Sequence, residues 1–227
     1  MRSTIGDFLG RQDDAAGMAL SPVAKARRRL VNLPDTISEG RSVIEAGPGS
    51  ASLDAEQSLS RIASQLDAKA RQDGLHRTLI GIHRGGAWVA RRLHDMLCAT
   101  NQQGFAQRPG FLSSVYHRDD YGHNAQRRAL SAKVAGTTEL PFEVNGSCIV
   151  LVDDVLYTGR TIRAALNELF DYGRPAKVEL AILLDRGGRE LPIQADFSGG
   201  TVALASRQAA LLSQDEGGVL SFSIVER

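Results

Sequence analysis

The residues best suited to chemistry fall in one run, Val152 to Thr161, where Asp153 and Asp154 follow an apolar stretch and Thr158-Gly159-Arg160-Thr161 opens a helical pattern. Ligands of open parallel sheets bind beyond the carboxyl ends of the strands, and free N–H groups at a helix N-terminus attract anions. Thr158, Gly159 and Thr161 are therefore candidate phosphate ligands, the glycine allowing close backbone approach and the hydroxyls adding donors. Two aspartates would repel a bare phosphate unless they hold hydroxyl groups or a hydrated cation. A sugar phosphate with Mg²⁺ meets both conditions, since Mg²⁺ takes carboxylates, waters and ligand oxygens, and vicinal hydroxyls donate to carboxylates. The alternative is that the aspartates only cap the strand-to-helix turn.

Alternating strands and helices must position that run. Asp54 is placed to cap a helix, with Gln57 reaching back and Leu59, Ile62, Ala63 and Leu66 following at helical spacing, and Gly74 ends it. Thr78–Ile82 reads as a strand, and Ala87–Cys98 as a helix whose Ala90, Leu93 and Leu97 share a face. Phe111–Tyr116 is a further strand. The polar stretch from Arg118 to Glu139 is too long for a plain connector and reads as either a functional loop or disorder. Cys148–Val152 has the unbroken apolar character of a central parallel strand. A helix over Thr161–Asp171, a strand over Val178–Leu184 and a late strand over Val219–Val225 complete an α/β pattern with a mainly parallel sheet.

With 42% hydrophobic and 23% charged residues, and 27 Lys+Arg against 26 Asp+Glu, the chain has the profile of an ordinary globular protein without a global field to gather nucleic acid or membrane. No stretch is apolar enough to span a bilayer and no signal-peptide pattern opens the chain, so a cytoplasmic location and no membrane partner are expected. Cys98 and Cys148 lie in apolar runs without CxxC or a nearby His at metal spacing, which predicts buried reduced thiols. Residues 1–52 have a linker-like composition, with one basic cluster at Lys25–Arg29, and read as a flexible extension before a single domain over 53–227; Met18 is an alternative start.

The acidic pair with its Thr-Gly-Arg-Thr loop resembles the type I phosphoribosyltransferases. Asp153 to Ala165, together with Leu184 to Phe197, is similar to the pyrimidine operon regulator and uracil phosphoribosyltransferase group. Tyr116-His117-Arg118-Asp119-Asp120 resembles that group's Tyr-Arg-Asp-Asp segment with one residue inserted. The resemblance implies a type I core with a flexible lid loop and a small base-binding hood, Mg²⁺ as cofactor, a homodimer or higher homo-oligomer, and transfer of phosphoribosyl from phosphoribosyl pyrophosphate to uracil, giving UMP and pyrophosphate. It also implies regulation of pyrimidine biosynthesis genes; the alternatives are a UMP-sensing, RNA-binding transcriptional attenuator with little enzyme activity, or a phosphoribosyltransferase for another base.

On that resemblance, Asp153 and Asp154 lie beneath the oxocarbenium-like ribose and hold Mg²⁺ with substrate oxygens, while Val155, Leu156, Tyr157, Thr158, Gly159, Arg160 and Thr161 form the phosphoribosyl pyrophosphate loop. Arg84, Gly85 and Gly86 would face pyrophosphate, although Arg84 falls one place earlier than in the group's Gly-Ile-x-Thr-Arg-Gly; the alternative for Arg84 is a surface residue. Arg118, as a catalytic cation, would arrive with Asp119, Asp120, Arg127, Arg128 and Lys133 on a lid that excludes water. Tyr157 stands where purine-using relatives carry an acid, and a phenol is a poor base at neutral pH, which favours uracil. Arg186 is the candidate for a base carbonyl, with Ile193 to Asp196 lining the pocket; an ion pair from Arg186 to Asp185 or Glu190 is the alternative.

The resemblance also brings RNA as a partner, through a basic surface that includes an N-terminal helix. Here Arg61 is the only basic residue of Leu53–Leu66, so phosphate contacts from that helix are few; Lys69, Arg71, Arg174, Lys177 and Arg27–Arg29 are the cations left to compensate.

Overall fold

The computed structural model describes residues 43–45, 54–100, 104–113 and 137–226. Its elements are β1 (Val43–Glu45), α1 (Ala55–Asp73), β2 (Arg77–Ile82), α2 (Gly85–Thr100), β3 (Gly110–Leu112), β4 (Cys148–Leu156), α3 (Arg160–Tyr172), β5 (Lys177–Asp185), β6 (Phe197–Ser198), β7 (Thr201–Ala203), β8 (Gln208–Gln214) and β9 (Leu220–Glu226). The main sheet runs β1-β7-β5-β4-β2-β3, with β6 also on β5, and its strand pairs are parallel. β8 and β9 form a separate antiparallel hairpin. The extension read over 1–52 lies outside the described residues except at Val43–Glu45, where the backbone adds a strand to the sheet.

β4 is central because its side chains are apolar on both faces. Val150 and Val152 join Leu79, Leu183 and the inner faces of α1 and α2 in one core, while Ile149 and Leu151 join Ile80, Ile182 and α3 in the other. The late strand predicted over Val219–Val225 is β9, but it pairs with β8 outside the parallel sheet, and its Leu220 and Phe222 pack on the α1–α2 core.

α1 starts as expected, Asp54 Oδ1 accepting from Gln57 N at 2.9 Å, and ends at Gly74 in the left-handed region (φ 67°). The reciprocal half of the capping box is absent: Gln57 Oε1 accepts from Arg61 instead. Arg61 also donates to Gly199 O, and Gln65 to Ser198 O, which fastens α1 to the end of β6. Glu56 takes Arg92 of α2 on one oxygen and Leu220 N of β9 on the other, joining two helices and the hairpin.

At the amino ends of the strands, the fully buried Arg77 guanidinium lies 2.7 Å from Glu179 and 2.6 Å from Asp73, and Lys177 also pairs with Glu179. The hydrogen bond from Arg77 holds the Asp73 carboxyl well below the usual carboxylate range. Burial pushes Glu179 upward, but the bonds from Arg77 and Lys177 outweigh it and hold its pKa low.

Both cysteines are free, but half-buried rather than fully buried as expected. The sequence reading also overlooks His94, one helical turn before Cys98, whose Nε2 lies 3.4 Å from the thiol sulfur. Among the described residues no three His, Cys, Asp or Glu side chains gather at metal-binding distance, and no helix is long and apolar enough to cross a membrane.

Candidate active site

Asp153 and Asp154 do not follow β4 but belong to it, since the strand continues to Leu156 beside β5. Asp153 is buried and Asp154 half-buried, because the pleat sends successive side chains to opposite sides. Each carboxylate is oriented by its own backbone: Asp153 Oδ1 accepts from Asp154 N at 3.0 Å, and Asp154 Oδ1 from Val155 N at 2.9 Å.

The chain then turns through Tyr157–Gly159 into α3. Gly159 is the helix N-cap at φ 90°, a conformation that disfavours side chains, and so offers no side chain of its own to cap the first turn. Thr158 Oγ1 accepts from Arg160 N, while its carbonyl accepts from Glu190 N and Leu191 N at 3.0 and 3.1 Å. This turn and the acidic strand end line a cleft of about 380 Å³ that includes Asp153 to Ile162, Arg186, Glu190, Ala209 and Ala210. Arg160 and Glu190 form an ion pair at the cleft, 2.6 Å apart.

Gly85 and Gly86, at the start of α2, press on the same strand end. A Cβ on Gly85 would lie 2.3 Å from Asp154 Oδ2, and one on Gly86 2.3 Å from Val152 O, so glycine alone allows this approach. The sequence-predicted acids, phosphate turn and glycine loop thus meet at one place. The neighbouring Arg84 side chain is exposed.

The sequence model of the phosphoribosyl transferase domain family matches residues 50–211. The chain belongs to the phosphoribosyltransferase family. Within it, the chain is 46% identical over 169 residues to the bifunctional protein PyrR of Ralstonia nicotianae, covering 73% of this chain and 89% of that protein. It is 44% identical over 179 residues to the PyrR of Nitrosococcus oceani, covering 78% and 94%. These likenesses place this phosphoribosyltransferase in the PyrR group. A crystal structure of the hypoxanthine phosphoribosyltransferase of Trypanosoma cruzi shares the fold, with a TM-score of 0.54 at 18% identity, covering 78% of this chain and 97% of that one.

Several residues of this phosphoribosyltransferase lie elsewhere than the sequence suggests. Arg186 pairs with neither acid offered to it: Asp185 takes Arg189 and Glu190 takes Arg160. Its guanidinium instead stacks 3.9 Å from the Tyr157 ring centroid and donates to Gln208 O at 3.0 Å, leaving a buried Nε without a partner. Ile193 and Asp196 are not among the residues that line the cleft. Ile193 packs behind Gly159 with its carbonyl taken by Arg189, and the Asp196 carboxylate accepts from Leu180 N, midway along β5 and away from the cleft. Leu156 is core, and its carbonyl accepts from Arg186 N. The lid candidates Arg118, Asp119, Asp120, Arg127, Arg128 and Lys133 lie outside the described residues.

Sequence reasoning missed Arg189, Ala209 and Ala210, and weighed Glu190 only as a partner for Arg186. Arg189 stands in the quoted Leu184–Phe197 segment and could have been weighed there; the alanines carry no chemical signal, and only the fold brings β8 to the cleft.

Proposed function

We propose that the cleft transfers a phosphoribosyl group from phosphoribosyl pyrophosphate to uracil. The bond from ribose C1′ to pyrophosphate breaks, a bond from C1′ to uracil N1 forms, the N1 proton goes to solvent, and UMP and pyrophosphate leave. The observation that carries this reading is the meeting of Asp153 and Asp154 with the Gly85–Gly86 loop on one side and the glycine-led start of α3 on the other. Anionic carboxylates suit a ribose that gains positive character as pyrophosphate departs, and the helix start suits the 5′-phosphate. Arg186 and Tyr157 line the cleft as a stacked pair, the guanidinium being a donor that suits a base bearing carbonyls, and no acid stands at position 157 to serve a purine.

The hard-oxygen donors of Asp153 and Asp154, too few for a protein cage, fit a Mg²⁺ completed by substrate oxygens and water. Bound there, the ion would offset the charge of the departing pyrophosphate. Four of the cations that could offer RNA a surface are engaged, Arg61 with Gly199 O and Gln57, Arg71 with Asp67, Lys69 with Asp73, and Lys177 with Glu179, whereas among the described residues the Arg174 side chain meets only the Phe170 and Gly173 carbonyls and the Phe170 ring, and Arg27–Arg29 lie outside them.

The test is turnover of phosphoribosyl pyrophosphate with uracil, orotate, adenine, guanine and hypoxanthine, for the wild type and Asp154→Asn. UMP as the sole nucleotide, and its loss in the variant, is the expected result. Unchanged turnover in Asp154→Asn would overturn the site.

A further inference from the structure

Arg189 makes more contacts than any ordinary surface arginine needs. Nη1 donates to the carbonyls of Tyr157 (2.8 Å), Gly187 (3.2 Å) and Leu156 (3.3 Å), Nε donates to Ile193 O (3.0 Å), and Nη2 lies 2.6 Å from Asp185 Oδ2. One planar fork thereby binds the end of β4 to the loop after β5. It makes no direct contact with the acidic pair or the start of α3, reaching the latter only through Ile193, which packs behind Gly159.

We propose that Arg189 is a positioning residue for the base: it fixes the Tyr157 carbonyl so that the ring stays clamped between Gly188 and the Arg186 guanidinium. A Cβ on Gly188 would lie 2.5 Å from the Tyr157 ring, and Arg186 covers the ring at 3.9 Å. Rotating the ring would therefore move Arg186, the group that faces a base. The phosphate turn has its own restraint, because Glu190 N and Leu191 N hold Thr158 O without help from Arg189. Loss of the fork therefore loosens the base side of the cleft and leaves the phosphate side in place. This inference rests on the phosphoribosyl-transfer reading above.

The experiment compares wild type, Arg189→Met and Arg189→Lys as full chains. In steady-state transfer, Arg189→Met should raise the KM for uracil about tenfold with kcat little changed, while the KM for phosphoribosyl pyrophosphate stays within about threefold, as loss of uniform binding at one substrate requires. Arg189→Lys, a point charge without the planar fork, should fall between. Calorimetric titration with UMP and with ribose 5-phosphate gives a readout independent of turnover: the variant should weaken UMP more than the base-free sugar phosphate. Equal weakening of both, or of neither, overturns the role of Arg189, as does full rescue of the uracil KM by lysine. If the wild type forms no UMP, the uracil reading fails by itself, and the ratio of the two affinities still decides Arg189. Should Arg189→Met not fold, the same ratio is read from Arg189→Lys.

Discussion

Gly85→Ala separates activity from stability. The new Cβ would lie 2.3 Å from Asp154 Oδ2, 2.5 Å from its Cγ and 2.9 Å from its Cβ, and restoring an ordinary contact of 3.4 Å moves the carboxylate by about 1 Å. The carboxylate can turn aside by leaving its rotamer at about 0.5–1.5 kcal/mol, while the contact with Asp154 Cβ, which rotation does not move, needs the two backbones to give by a few tenths of an ångström. Part of that is offset by the lower unfolded-state entropy of alanine, about 0.4–1 kcal/mol. The melting temperature should therefore shift by no more than about 2–4 °C. On the proposed role of Asp154 beneath the ribose, a displacement of about 1 Å should lower turnover about 100-fold. The assay is kcat/KM for phosphoribosyl transfer beside a thermal melt, with Gly217→Ala, whose Cβ would meet only Asp215 Oδ1 at 3.4 Å, as control. Gly86→Ala should behave oppositely, since its Cβ meets Val152 O at 2.3 Å and backbone cannot turn aside; about 1–3 kcal/mol of stability should be lost. A Gly85→Ala enzyme within about threefold of wild type would refute the link between this glycine and Asp154.

Arg77→Met should destabilise the protein by about 3–5 kcal/mol in urea titration, because it strips a partner from the buried Glu179; a loss below about 1 kcal/mol would refute the network. Asp73 and Glu179 have folded pKa values below their unfolded ones, so their contribution is complete above about pH 4 and is lost as pH falls through the depressed values. The urea midpoint of the wild type should drop below that pH, and that of Arg77→Met should drop less. Burial is the first cause that pushes both thiols up, with Asp95 adding at Cys98 and Glu179 at Cys148, so alkylation at pH 7 should be slow and should accelerate in urea. A thiol reacting at the rate of free cysteine in the folded protein would contradict this.

Local patterns carried much of the fold. The Asp54 and Gly74 caps, the apolar run of β4 and the helix after Gly159 were legible because each depends on neighbours along the chain. That the acidic pair runs into a glycine turn and a helix was legible for the same reason, all lying within one short run. The pairing of β9 was not, since antiparallel partners are chosen by which apolar face finds cover, and Leu220 and Phe222 find it on α1 and α2. The partners of charged residues were not legible either. Asp185 and Glu190 flank Arg186 in sequence, yet neighbouring side chains on an extended segment point apart, and Arg189 and Arg160 reach these acids instead.

The sequence by itself determined that a strand ending in two carboxylates would lead through a glycine turn into a helix, because backbone preference and side-chain chemistry there are local. Only the tertiary structure decided what faces that strand end. Gly85 and Gly86 come to Asp154 and Val152 from about seventy positions away, and Ala209 and Ala210 close the cleft from about fifty positions beyond the turn. Such contacts are set by the parallel packing of β2, β4 and β5 and by the cover over their faces, and the spacing of residues along the chain does not encode them.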